Sequence, residues 1–542
     1  MDHNKECVRY LTVSMVISVL FAIIGCRTGQ APPFSLPEPT GPYAVGIKNF
    51  HFTDKNRPEI FTPEADDHRE LFAIIWYPAE SPSQGTPVSL MEQHQEKAAV
   101  FKRFAPVSDS AFELISRVIS HSYRDVPVAR GKQPYPLLVF SHAYWAGLTQ
   151  STVLMEELAS HGYVVVSIAH PHETPYTITA DGSIKPFDPM NERLKHIAEE
   201  RKATFEYQKR LSLTRERDEL EELIKSIHDG RERSLESITI WVEDIRFILD
   251  ALETMNLPGG FFSGTLDTGN VGVLGHSFGG AVSGQACIVD ERIKAGINMD
   301  GLQLGGLLEQ KLTKPFMFMH HDNVGAENKM INLLFFERAE KDAYLLVIEG
   351  TRHLNFSDIS LPGYGELLQL PPEALGPIDG YRCLEIINNY TVAFFNKYLK
   401  CNETALLGGA SPDHPEVEIV VRTVPPTSSS KYGKSLSLTL AAREEALRNT
   451  KLCRQLLVYA HKRGMQGNGL RFQIFHEPPH MEQLRLFQLT SIYQIPQLFH
   501  PLPLLRRRKQ IGESQAPGKP TITDGGPPTE GMFCNGFMDR SA

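Results

Sequence analysis

Read for hydrophobic and polar positions alone, the chain carries a series of short apolar runs rich in β-branched residues. They are Leu71–Tyr77, Leu137–Phe140, Tyr163–Ile168, Val271–Leu274, Ala295–Met299, Pro315–Met319 and Tyr344–Ile348. None alternates cleanly with polar residues, which predicts strands buried on both faces of a sheet. Helical periodicity falls between them, over Thr149–His161, Glu236–Met255, Ala281–Val289, Asn328–Lys341 and Asp379–Leu399. Strand and helix alternate, which predicts an α/β fold with a mostly parallel central sheet flanked by helices.

Three stretches break the rhythm. The segment 31–42, APPFSLPEPTGP, reads as an exposed linker because repeated proline blocks regular structure. Asn191–Ser234 is highly charged (RERDELEELIKSIHDGRER) and predicts a helical excursion over one end of the sheet. A solvated helical face is the plain reading of such a run, and a lid near the site is the sharper one. After Cys401 come VPPTSSS, a helical pattern over Leu440–His461, the basic patch Arg506–Lys509 and SQAPGKPTITDGGPPTEG. That composition predicts an extension that is partly disordered.

At the other end, Lys5 and Arg9 precede the apolar run Tyr10–Ile24, which ends in Gly25–Cys26. A basic start, a short apolar stretch and a small residue make a secretory signal. The run is shorter than the roughly 20 residues of a spanning helix; an uncleaved anchor is the alternative. The tetrad IIGC also resembles a lipoprotein signal, in which Cys26 would become the lipidated N-terminus. The expected layout is a signal peptide over 1–25, a linker over 26–45, a catalytic domain over 46–402 and an extension over 403–542. The expected location is outside the cytoplasm, secreted or held at a membrane through Cys26.

Composition changes this picture little. The 542 residues are 41% hydrophobic and 22% charged, ordinary globular usage. The net charge of −9 argues against a nucleic-acid partner, whose binding surface should be basic. Beyond the leader the cysteines are Cys287, Cys383, Cys401, Cys453 and Cys534, with no CxxC pair, so neither a zinc site nor a dense disulfide framework is indicated.

Candidate chemistry centres on VGVLGHSFGGA, Val271–Ala281. Its core, Gly275–Gly279, fits the G-x-S-x-G nucleophile elbow, a strand-to-helix turn so tight that flanking side chains must be minimal. Ser277 is the candidate nucleophile, and the N–H of Phe278 is one candidate oxyanion donor at the helix N-terminus. A serine hydroxyl needs a base and a carboxylate to hold that base. In this fold the chain order is serine, acid, histidine. His353 lies just past the strand Tyr344–Ile348; His414 follows no strand, so His353 is preferred. Asp300 and Asp322 both follow strands at the carboxyl edge, where sites of open α/β sheets gather. Spacing alone leaves the two nearly even. His170, His172, His320 and His321 also follow strands, yet no ligand spacing completes a metal set; they read as rim or packing histidines.

The block GHSFGGA, INMDGLQLG and RHLNFSD, together with VFSHAYWAG, LASHGYVVVSIAHP and VEDIRFILD, resembles the platelet-activating-factor acetylhydrolase family, the plasma or lipoprotein-associated type and its bacterial relatives, over about Gly41–Leu399. The resemblance implies an α/β-hydrolase fold, with Asp300 in the acid position and His353 in an H-x-N-F loop. It also implies Tyr144 as the second oxyanion donor, although Ala143 stands where relatives usually carry glycine. The implied reaction needs no cofactor and no metal. It is hydrolysis of short or oxidised sn-2 acyl esters of glycerophospholipids, through an acyl-enzyme, at a lipid surface or on a small ester in solution. A general short-chain carboxylesterase, or a dienelactone- or polyester-hydrolase-like enzyme, is the main alternative. A noncatalytic lipid-binding relative is the alternative of another class.

Overall fold

Every apolar run named above becomes a strand, because Val, Ile and aromatic side chains fill a pleated surface on both faces. The computed structural model describes residues 34–80, 85–91, 107–200, 217–306, 310–322, 326–423 and 472–473, with 32 and 102 as isolated positions. The leader, Cys26, the pattern at Leu440–His461 and the patch Arg506–Lys509 lie outside the described residues.

The strands are β1 (Ala44–Pro58), β2 (His68–Ala79), β3 (Thr86–Ser89), β4 (Ile119–Arg124), β5 (Tyr135–Ser141), β6 (Val164–Ala169), β7 (Tyr176–Ile178), β8 (Ile184–Pro186), β9 (Leu266–His276), β10 (Ile293–Met299), β11 (Phe316–His321), β12 (Ala343–Ile348), β13 (Val417–Arg422) and β14 (Phe472–Gln473). The helices are α1 (Asp109–Ser116), α2 (Thr152–Ser160), α3 (Arg217–Asp229), α4 (Glu232–Met255), α5 (Phe278–Val289), α6 (Ala326–Arg338), α7 (Tyr364–Leu367) and α8 (Gly380–Leu399). Among the described residues, twelve strands form one sheet in the order β14-β13-β12-β11-β10-β9-β5-β6-β2-β1-β4-β3, and β7–β8 is a separate hairpin. The central run from β12 to β6 is parallel throughout. Antiparallel β2 and β13 flank it on its two sides.

Side chains of successive residues divide between the two faces. Leu137 and Val139 join the core layer under α3, α4, α5 and α6, whereas Leu138 and Phe140 join the layer under α2 and α8. This is the mostly parallel α/β sheet expected from the alternation, in the α/β-hydrolase architecture that the resemblance implies. Among the described residues no helix is long and apolar enough to cross a membrane.

Three findings differ from the sequence reading. The charged segment is not merely a solvated face, since Leu223, Ile224 and Ile227 of α3 are buried in the main core. The proline-rich stretch is docked from Phe34 onward. The Thr40 N–H bonds Glu157 Oε2 at 2.8 Å and the Gly41 N–H bonds Ser160 Oγ at 3.0 Å, strapping it along α2. Finally, β13 pairs antiparallel with β12, so the sheet continues past residue 402, where the extension was expected to begin.

Because α3 docks through Leu223, Ile224 and Ile227, Ile227→Ala is expected to lower the unfolding free energy by about 2–5 kcal/mol, the usual loss for a buried large-to-small change. Chemical denaturation reads this; an unchanged midpoint would mean that α3 lies free of the core.

Candidate active site

The site forms where β9 runs into α5. Ser277 stands between them at φ 55°, ψ −116°, a conformation that L-residues rarely adopt. Such strain costs about 1–3 kcal/mol and persists only where the surroundings impose it. Here they do. A Cβ on Gly279 would lie 2.0 Å from Ser141 O, and one on Gly275 would lie 2.3 Å from the Gly279 backbone. The glycines are therefore what lets helix and strand close to this distance. The turn is tied to the neighbouring strand by the Ser277 N–H, which donates to Met299 O at 2.8 Å. Phe278 opens α5, and the first N–H groups of a helix have no acceptor within it.

Asp300 follows β10 in a similar posture, at φ 56°. Gly301 must come next, since a Cβ there would meet Ser277 O at 2.1 Å. The carboxylate is 1% exposed and well supplied with donors. His353 Nδ1 reaches Oδ2 at 2.6 Å, His321 Nδ1 lies 2.8 and 2.7 Å from the two oxygens, and the His321 N–H donates to Oδ1 at 3.1 Å. Burial alone would push this carboxyl up; His321, His320 and His353 outweigh it and hold it well below the usual carboxylate range. On its other side, His353 Nε2 lies 3.0 Å from Ser277 Oγ. With Nδ1–H committed to the carboxylate, Nε2 is the acceptor for the serine O–H. Such a chain can take up the serine proton while the carboxylate stabilises the resulting imidazolium.

The other carboxylate candidate is used differently. Asp322 Oδ2 accepts from the Gly350 N–H at 2.9 Å, supporting the turn before the histidine loop. That loop, a 3₁₀ turn over His353–Phe356, is built around Asn355. Its Oδ1 accepts from the N–H groups of Arg352 and Gly376, and its Nδ2 donates to Ser360 Oγ.

Tyr144 lies on the turn after β5. The Ala146 N–H closes it on Ala143 O at 2.8 Å. The positive φ falls at Trp145, at 71°, so an alanine at 143 meets no conformational obstacle of that kind. The rings of Tyr144 and Phe278 meet edge-on at 5.5 Å, which brings the two expected donor residues side by side. Trp241 of α4 backs both, at 5.0 Å from Phe278 and stacked at 6.4 Å on Tyr144.

Behind Trp241 lies a buried polar cluster. Its indole N–H donates to Glu173 Oε2 at 2.7 Å, and its ring stacks on His170 at 3.8 Å. His170 Nδ1 is 2.9 Å from Asp244, which also receives Arg69. Burial pushes Glu173 up to about 7, against the hydrogen bond from Trp241. His170 thus packs, as expected, and so does His172, stacked on Phe61. His321 does not fit the rim-or-packing reading, because it holds Asp300.

His276, Asp300 and His353 place one ligand-type atom each within 4.8 Å of one another. They fit an ion poorly, because these atoms are already spent on one another and on neighbours. His276 Nε2 bonds His353 O at 3.0 Å, and its Nδ1 bonds Gln150 Nε2 at 2.6 Å. Neither Gln150 nor His276 was singled out from sequence; the only signal was a polar residue next to each motif.

Comparison with known proteins gives a consistent relationship. The family model described as "Platelet-activating factor acetylhydrolase, isoform II" matches residues 28–408. The platelet-activating factor acetylhydrolase of Cavia porcellus is 24% identical over 387 residues, covering 67% of this chain and 78% of that protein. A probable 1-alkyl-2-acetylglycerophosphocholine esterase of Arthroderma benhamiae is 24% identical over 442 residues, covering 74% and 98%. Among solved structures, a ferulic acid esterase from Streptomyces cinnamoneus superposes with a TM-score of 0.54 at 24% identity, covering 71% of this chain and 99% of that one. That last likeness concerns the fold.

The Glu173 carboxyl generates a prediction for stability. Its folded value of about 7 lies above the ordinary 4.5. Between these values the unfolded chain sheds a proton that the folded chain keeps, so wild-type stability is lost as pH rises from about 4.5 to 7. Glu173→Gln removes that loss. Its thermal midpoint relative to wild type is expected to rise across this window and level off above it. A pH-independent difference between pH 5 and 8 would contradict the assignment.

Proposed function

This chain belongs to the platelet-activating factor acetylhydrolase isoform II family, and on that premise we propose that it is a serine-dependent carboxylic ester hydrolase acting on short acyl esters. The observation that carries the proposal is the linked pair of contacts at His353, 3.0 Å to Ser277 Oγ and 2.6 Å to Asp300. In this reading His353 takes the proton as Ser277 Oγ attacks the ester carbonyl. Asp300 holds the imidazole tautomer and stabilises its charge. The backbone N–H groups of Phe278 and Tyr144 receive the oxyanion, each worth about 10²–10³ in rate. Collapse expels the alcohol, which leaves with the proton from His353. A water molecule then repeats the sequence on the acyl-serine and frees the acid.

Within that class, short or oxidised sn-2 chains of glycerophospholipids are the finer reading, supported by the family description and by the names of the relatives in Cavia porcellus and Arthroderma benhamiae. The basic start and apolar run of the first residues support export, which would bring the enzyme to lipid surfaces.

The test compares a 2-acetyl phospholipid with p-nitrophenyl butyrate, using wild type, Ser277→Ala, Asp300→Asn and Asp322→Asn. Ser277→Ala is expected to abolish turnover of both esters. Asp300→Asn should lower kcat by about 10³–10⁴-fold, as expected when the base loses its orienting carboxylate, and Asp322→Asn by far less. Preference for the phospholipid supports the finer reading, and cleavage of the simple ester alone leaves a general short-chain esterase. Wild-type turnover by Ser277→Ala would overturn the reading altogether.

A further inference from the structure

A chain of three hydrogen bonds runs behind the site and joins two loops that are far apart in sequence. The Ala143 N–H, on the turn that carries Tyr144, donates to Gln150 Oε1 at 2.8 Å. Gln150 Nε2 lies 2.6 Å from His276 Nδ1. His276 Nε2 lies 3.0 Å from the carbonyl oxygen of His353.

The polarity of every link follows from the two backbone groups at its ends. The His353 carbonyl can only accept, so the His276 proton must sit on Nε2. Nδ1 is then an acceptor and needs a donor, which the Gln150 amide NH₂ supplies. That leaves the amide oxygen for the Ala143 N–H, which can only donate. One ring tautomer and one amide orientation satisfy all four groups. Burial, with the neighbouring His353, holds His276 down at about 3, so its ring stays neutral and the chain stays intact across the physiological range. The ring is 1% exposed and is packed beside His353 and Phe356. A further bond reinforces the link, since the Asp358 N–H donates to Gln150 O at 2.9 Å. Asp358 in turn caps α2 through the Val153 N–H.

We propose that Gln150 and His276 are positioning residues that set the spacing between the oxyanion turn at Tyr144 and the base His353, acting through the backbone at Ala143 and His353. The inference rests on the esterase reading above. Neither side chain touches substrate in this account. What they fix is the distance between the donor that meets the oxyanion and the imidazole that moves the proton. Both must be correct at the same moment in the transition state, while substrate binding depends little on either. A displacement of about 1 Å in such an arrangement costs about a hundredfold in rate.

Gln150→Met keeps the length of the side chain and removes both polar contacts. It is expected to lower kcat for p-nitrophenyl butyrate by about 10- to 100-fold, with KM within about twofold of wild type. Gln150→Glu keeps the acceptor for Ala143 but sets a carboxylate oxygen against His276 Nδ1. One added proton, on either the new carboxyl or the ring, restores the missing donor. The charged and titratable groups facing His276 from the strand ends and the histidine loop are Asp300, His321 and His353, and they are the same in both proteins. The deficit of Gln150→Glu relative to wild type should therefore shrink as pH falls from 8 to 6.

If Gln150→Met keeps kcat within twofold, or loses efficiency through KM instead, the positioning role is wrong. If that variant does not fold, Gln150→Glu decides alone, and a deficit independent of pH overturns the proposal. Ser277→Ala, assayed beside them, separates the two claims. A dead Ser277→Ala with fully active Gln150 variants sinks only this inference, whereas an active one sinks the esterase reading as well.

Discussion

Everything at this site depends on how closely the backbone after β9 approaches its neighbours. Gly279 lies so near Ser141 O that no side chain fits between them, and Gly301 lies as near to Ser277 O. This contact forces Ser277 into its positive φ, brings the start of α5 against the end of β5, and aims the serine out of the sheet. The adjacent strand repeats the device with Asp300. The two strand ends are coupled through the sheet: the Ser277 N–H bonds Met299 O, and the Asp300 N–H bonds Met319 O. Register places His276 beside Met299 and Met299 beside Met319. The separation of serine and carboxylate is thus a property of the sheet, held by a core of fully buried residues such as Phe318 and Leu274. Local backbone strain of a few kcal/mol is small beside that support.

Electrostatics follow from the same geometry. A carboxylate buried as deeply as Asp300 would ordinarily take a proton. It keeps its charge because His321 and His353 both donate to it. His276, one residue before the serine, has the opposite fate. It is buried without a carboxylate partner and stays neutral, which suits a bridge between a glutamine and a carbonyl. Two histidines within the same cluster are therefore tuned to different tasks by what each ring nitrogen faces. Glu173, behind Trp241, is a third case, a buried carboxyl pushed up towards neutrality by desolvation.

Much of this was legible in the sequence, for identifiable reasons. The seven apolar strand runs needed no context, since strands buried on both faces are continuous in apolar character. Ser277, Phe278, His353 and the pair Asp300/Asp322 were marked by motif and by their places after strands. Elements with mixed faces were harder. β1 is buried only over Val45–Ile47 and at Asp54, the rest of Ala44–Pro58 being partly or fully exposed, and β13 sits beyond a helix in a stretch that read as tail. α3 looked solvated because its buried residues Leu223, Ile224 and Ile227 are outnumbered by charges. The roles of Gln150 and His321 could not be read at all, because each depends on a contact across loops distant in sequence. Nor could spacing show that Asp322 serves the Gly350 turn.

Whether the geometry around Ser277 makes it a reactive nucleophile is read by a fluorophosphonate probe followed by peptide mass mapping. One adduct is expected, on the peptide containing Ser277, formed much more slowly when His353 is replaced by alanine. An adduct on a different serine, or no labelling of the folded protein, would contradict it.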